Sequence, residues 1–195
     1  LSRVLRLSRG APALFAVGMG LLTAGVVGSL WNYDLGVRLA GLGLVGLAAW
    51  LLFYDIARRN LRRTGLTRYI AYCLFTGYFW LAAGGALWLV YGGVPAGLIY
   101  DAILHTIFLG FVFAMIFGHA PLIFPAILRR PMTYTPAFYL PLIALHLSLL
   151  LRVAGDLLNN PIWRQWGGLL NGVTLLLFLG VVGASLRKRP PTADR

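Results

Sequence analysis

Six separate runs of about twenty mostly apolar residues account for most of this chain, and each is long enough to cross the hydrocarbon core of a bilayer as a helix. The runs cover residues 12–31, 35–54, 69–91, 99–128, 136–154 and 166–186. Within lipid only helices and closed barrels satisfy their own backbone, and continuous apolar runs without a period of two point to helices. The expected fold is therefore all-α: a polytopic membrane helix bundle of six transmembrane helices, one unit over residues 1–195 with a basic tail at 187–195. Composition agrees. Of the 195 residues, 59% are hydrophobic and 11% charged, against roughly 25% charged in an ordinary soluble domain. A chain this short has too little interior to hide six such runs from water.

Charge sorts the connections into two kinds. Arg3, Arg6 and Arg9 precede the first run; Arg58, Arg59, Arg62, Arg63 and Arg68 follow the second. Arg129 and Arg130 follow the fourth, and Arg187, Lys188 and Arg189 follow the sixth. The alternate connections carry almost no basic residues, Arg164 being the exception. The positive-inside rule then places both termini on the cytoplasmic side of a bacterial-type cytoplasmic (inner) membrane. The net charge of +12 belongs to these loops rather than to a nucleic-acid-binding face, so the expected partner is the lipid bilayer and not nucleic acid. The first run is long enough to span and lacks an A-x-A-like exit, so it reads as a span rather than a leader.

Several chemistries are absent from the sequence. The single cysteine, Cys73, excludes an intrachain disulfide and an all-protein thiolate metal cage. P-loop, GxSxG, HExxH and CxxC patterns are missing, so nothing points to nucleotide hydrolysis, acyl transfer or zinc proteolysis. Gly18, Gly25, Gly28, Gly36, Gly41, Gly43 and Gly46 enrich the first two spans in small residues. They read as helix-packing positions and leave room for a homo-oligomer or a second membrane subunit.

The chemistry-bearing candidates are the three histidines, all inside predicted spans: His105 and His119 in the fourth, His146 in the fifth. An ionisable side chain in lipid is a functional candidate by default, and the bland reading is a neutral imidazole bonded to a neighbouring helix. His105 and His119 lie on nearly one helix face, about 21 Å apart along the axis. Counted from the short connection between the two spans, His119 and His146 are about 14 and 16 Å deep, so the pair could clamp one iron or share a smaller metal. Counted from the opposite ends, His105 and His146 also come within reach. Pro121 and Pro125 predict an irregular inner half of the fourth helix. Asp101, one turn before His105, is placed to orient that imidazole as an outer partner of a metal ligand. Arg152 has two readings: a holder of an anionic group such as a haem propionate, or an ion pair with Asp156 one turn on. Asn171 is expected to donate a hydrogen bond between helices, and Arg38 to snorkel or to pair with Asp34.

The stretch LHTIFLGFVFAMIFGHAPLIFP from Leu104 to Pro125, then LHLSLLLRVAGDL from Leu145 and a last apolar helix opening Trp166-Gly-Gly, resembles the C-terminal half of NnrS-type membrane proteins. More distantly it is similar to haem–copper oxidase catalytic subunits. The resemblance implies a haem- and copper-containing membrane protein associated with nitric oxide stress and denitrification. It makes His105, His119 and His146 ligand positions, and matches Arg152 to the arginine of the family's Leu-Arg-Val run. The expected function is thus a haem- or metal-binding membrane protein of redox or nitric-oxide-related physiology, with His119 and His146 as the first ligand pair and His105 next. Whether it is an enzyme stays open. The rival class is a cofactor-free transporter or assembly scaffold, in which the histidines are packing groups or a proton path.

Overall fold

The computed structural model describes residues 10–187. The basic residues Arg3, Arg6, Arg9, Lys188 and Arg189 and the rest of the tail lie outside them. The described chain is a helical bundle: α1 Ala11–Gly28, α2 Tyr33–Tyr54, α3 Ala57–Asn60, α4 Gly65–Tyr91, α5 Leu98–Leu104, a π-helical segment His105–Val112, α6 Phe113–Leu128, a 3-10 turn Pro136–Phe138, α7 Tyr139–Leu157 and α8 Pro161–Arg187. Among the described residues, six helices are long and apolar enough to cross a membrane, α5 to α6 counting as one and the 3-10 turn joining α7 in another. All-α architecture and six membrane-length helices are as the apolar runs predict.

The last helix begins earlier than its apolar run. Asn160 explains this, because its side-chain oxygen accepts from the amides of Ile162 and Trp163 at 3.1 Å each. That cap, with Pro161 in the first turn, recruits the polar stretch Trp163–Arg164–Gln165 into the helix. Asn32 starts α2 the same way, accepting from Leu35 N at 3.0 Å.

Consecutive long helices run antiparallel, which sorts the connections onto two ends. At one end the Trp50 indole donates to Ala11 O at 2.7 Å, Tyr69 packs on Tyr134 and Phe138, and Thr133 N bonds Ser185 O. The arginines between α2 and α4 and after α6 gather here, so this is the basic end. At the far end Arg38 of α2 reaches the C-terminus of α4, and the start of α5 meets the end of α7 and the start of α8.

Glycine sets how closely the helices approach. A side-chain carbon at Gly41 would lie 2.6 Å from Gly85 O, and one at Gly85 2.8 Å from Gly41 O, so α2 and α4 cross backbone to backbone. A side-chain carbon at Gly43 would lie 2.5 Å from Leu22 N across the α1–α2 contact. Without a hydrophobic drive between helices in lipid, such dispersion-dense crossings carry the association. A side-chain carbon at Gly28 or Gly46 would meet nothing within 4 Å, so neither glycine is needed for a close approach.

The fourth span departs from expectation in an informative way. Pro121 and Pro125 sit inside regular α-helix, and the irregularity lies a full segment earlier, at His105–Val112. Pro121 cannot donate to Phe117 O, and the Tyr69 hydroxyl takes that carbonyl instead at 3.3 Å. A neighbouring helix thereby satisfies the acceptor that the proline frees, and no kink is needed there. On the same inward face Phe117 is fully buried and stacks on Phe178 of α8, centroids 3.8 Å apart.

Replacing Gly41 by leucine should lower thermal stability by about 1–3 kcal/mol through overpacking, whereas Gly28→Ala should leave it unchanged. Unfolding of both variants in detergent, followed by circular dichroism, checks this.

Candidate functional site

The π-helical segment begins at His105, one turn after Asp101 of α5, and packs against α7, whose end meets the start of α8. Those two helices are drawn together by glycine. A side chain on Gly167 would meet Arg152 N at 2.5 Å, and one on Gly155 would meet Arg164 N at 2.7 Å. The crossing leaves Arg152, Asp156 and Arg164 side by side, opposite Asp101 and His105.

These five side chains form one ionic network at the far end. Arg152 Nη2 donates to Asp101 Oδ2, and Arg152 Nη1 donates to Arg164 O at 3.0 Å. Arg164 Nε donates to Asp156 Oδ1 at 2.6 Å and its Nη2 lies 3.5 Å from Asp101 Oδ2. Asp156, 1% exposed, is the buried centre. Its Oδ2 stands 3.3 Å from Arg152 Nε, too poorly aligned for a hydrogen bond, so both atoms are buried without one. Donor atoms of Asp101, His105 and Asp156 lie within 4.8 Å of one another, close enough to share one cation.

Arg152 is thus a bridge between helices rather than a snorkelling residue, and its guanidinium is committed to two carboxylates and a carbonyl. The expected Arg152–Asp156 pair is present, and Asp101 and Arg164 extend it. Arg38 pairs with Asp34 at 2.9 Å, as one of its two readings holds, and also donates to Leu89 O and Val90 O at the end of α4. Asn171 departs from expectation: its oxygen accepts from the Ser148 hydroxyl at 2.7 Å, and its buried Nδ2 has no partner.

The three histidines occupy three places. His105 Nδ1 lies 2.7 Å from Asp101 O and His119 Nδ1 lies 2.7 Å from Met115 O, each one turn back on its own helix. A carbonyl only accepts, so both rings carry their proton on Nδ1 and keep a lone pair on Nε2, the tautomer that binds metals. His146 is the reverse. Its Nδ1 accepts from the Trp80 indole at 2.9 Å, and an indole N–H only donates. The His146 proton is therefore on Nε2, which is buried and unpaired.

His119 and His146 line separate grooves. His119 shares a shallow one of about 270 Å³ with Met115, Ile116, Ile123 and Phe124 on the outer face of α6, opposite buried Phe117. Despite the short connection between the spans, α6 packs mainly on α4, while α7 lies against α5, the π segment and α8. Sequence reasoning did not find Trp80 as a histidine partner. Its signal is position: Trp80 lies mid-span, whereas Trp31, Trp88, Trp163 and Trp166 lie near span ends, where indole rings prefer the interface. Gly110 makes its place, because the Trp80 ring occupies the space where a Gly110 side chain would project.

Breaking the buried part of the network should be costly. Asp156→Asn should destabilise the protein by about 3 kcal/mol or more, since it strands two guanidiniums. Asp34→Asn, in an exposed pair, should shift the melting midpoint far less; parallel thermal melts in detergent compare the two.

A family model described as Domain of unknown function (DUF8744) matches residues 1–187. No curated protein and no solved structure matches the chain.

Proposed function

We propose that this chain, which belongs to the DUF8744 family, is a transition-metal-binding protein of a bacterial cytoplasmic membrane, with its metal at the far end of the bundle. The observation that carries the reading is the approach of Asp101, His105 and Asp156 donor atoms to within 4.8 Å at the first turn of a π-helical segment. Segments of that geometry recur at functional sites. His105 has an Nε2 lone pair to offer once its ring turns, since in the structure it is Nδ1 that stands beside Asp101, 3.7 Å from Oδ1. The positive-inside rule puts both termini in the cytoplasm and this network on the outer side.

Donor chemistry narrows the metal. One imidazole and two carboxylates fit iron(II), manganese(II) or zinc(II), and suit copper(I) poorly. Iron would carry the redox or nitric-oxide-related physiology implied by the resemblance to NnrS-type proteins. A haem version would use His105 or His119 singly, because they sit in different segments of one continuous span, too far apart to clamp one iron, and His146 is held as a donor. The arginines set the difficulty of entry. Arg152 and Arg164 neutralise both carboxylates, so a cation must displace at least one guanidinium. The same pairing favours the second reading, an ion-pair clamp in a cofactor-free transporter or scaffold.

Removing one competing charge separates the readings. With metal analysis and zinc or manganese titration of the purified protein, one equivalent should bind, and His105→Ala or Asp156→Asn should weaken it at least about tenfold. Arg164→Gln should tighten it by a comparable factor. A wild-type protein that binds no metal, with Arg164→Gln no better, would leave the clamp as the correct account. A Soret band lost in His105→Ala would identify the metal as haem iron.

A further inference from the structure

α4 and α7 both start at the basic end and run parallel, and an open groove of about 590 Å³ lies between their first halves. Thr64, Arg68 and Tyr72 line it at every fourth position, and Tyr139, Leu142 and Ile143 line it from α7. The Tyr139 ring meets the Tyr72 ring edge to face, centroids 6.0 Å apart, and joins the two walls. Ile143 is 55% exposed, so the groove opens sideways to lipid. α4 has 27 residues, about 40 Å of helix against a hydrocarbon core of about 30 Å. With the excess shared between its ends, Arg68 stands at the headgroup boundary, and Thr76 lies about 12 Å deeper on the same face. No carboxylate holds Arg68. Ion pairs among the described residues draw on Asp34, Asp101 and Asp156, all at the far end. Asp55, the remaining described acid, accepts from Ala57 N at 2.7 Å. The Arg68 guanidinium instead lies over the Tyr72 ring, 5.6 Å from its centroid. Such stacking holds the guanidinium plane and leaves its edge N–H groups for an anion.

A cation at headgroup depth, above an apolar trough that opens to lipid, sets two demands on an occupant: a negative group, and an acyl chain below it. The lining includes no acid, so the ammonium of a zwitterionic lipid would find no partner and would face the arginines of this end. A free phosphate would leave the Leu142 and Ile143 stretch unfilled. We propose that the groove binds an anionic glycerophospholipid of the cytoplasmic leaflet, with its phosphate on Arg68 and one acyl chain running along Leu142 and Ile143 toward Thr76. Tyr134 and Tyr139 add phenolic hydroxyls at the same end, donors for further headgroup oxygens. The site rests on the helices crossing a membrane and is independent of the metal at the far end.

Native mass spectrometry of the full-length chain in detergent, titrated with phosphatidylglycerol or with phosphatidylcholine of the same acyl chains, tests this. One phosphatidylglycerol should bind about tenfold more tightly than phosphatidylcholine, the scale of one charge-assisted contact. Arg68→Gln should erase that preference. Arg62→Gln, at the same end but outside the groove, should keep it. Ile143→Trp, on an exposed face and without touching the charge, should weaken both lipids by crowding the acyl chain. The proposal is overturned if the two lipids bind alike to the wild type, or if Arg68→Gln keeps the preference. It is overturned too if Arg62→Gln loses as much of the preference as Arg68→Gln, the mark of diffuse surface charge. Unchanged phosphatidylglycerol binding in Ile143→Trp would equally overturn it, as would displacement of the lipid by inorganic phosphate at the lipid's own concentration.

Discussion

In lipid a buried polar group has only the rest of the chain to pair with, and that constraint orders this structure. Glycine crossings first bring backbones together, and the polar side chains then find partners across the gaps. Tyr69 answers the carbonyl that Pro121 frees. Ser148 and Asn171 bond each other between α7 and α8. Arg38 closes the end of α4 while holding Asp34. The largest such assembly joins α5, the π segment, α7 and α8 through Asp101, His105, Arg152, Asp156 and Arg164.

The same constraint decides what each histidine can do. Residue type is alike for all three, yet the partner at Nδ1 divides them. Backbone carbonyls leave His105 and His119 with a free lone pair on Nε2, whereas an indole donor leaves His146 with a proton there. Ligand chemistry and donor chemistry are thereby assigned to different places. The proposed metal lies at the far end, whereas the His146 N–H is buried beside Trp80 between α4 and α7.

Much of this was legible in the sequence, because apolar length and charge in the connections are one-dimensional signals. The six spans, the two-sided sorting of arginines, and the Arg38–Asp34 and Arg152–Asp156 pairs one turn apart could all be read from spacing. The parts that could not be read depend on the rotation of each helix about its axis. Matching depths for His119 and His146 said nothing about facing, and Phe117, two residues before His119, takes the inward position. The π segment gives no periodic signal in so apolar a run. The start of α8 was hidden because Asn160 caps a polar turn that an apolar window excludes. Arg164 was visible as a lone charge, but its reach to both Asp101 and Asp156 needed the Gly155 and Gly167 crossing.

The central claim is that a metal binds where the network now holds its own carboxylates. The most direct measurement is X-ray absorption at the zinc edge on zinc-loaded protein in detergent. The account predicts a first shell of oxygen and nitrogen only, near 2.0–2.2 Å, with outer-shell scattering from a single imidazole that disappears in His105→Ala. A spectrum of hydrated zinc without imidazole, or one unchanged in His105→Ala, would contradict it.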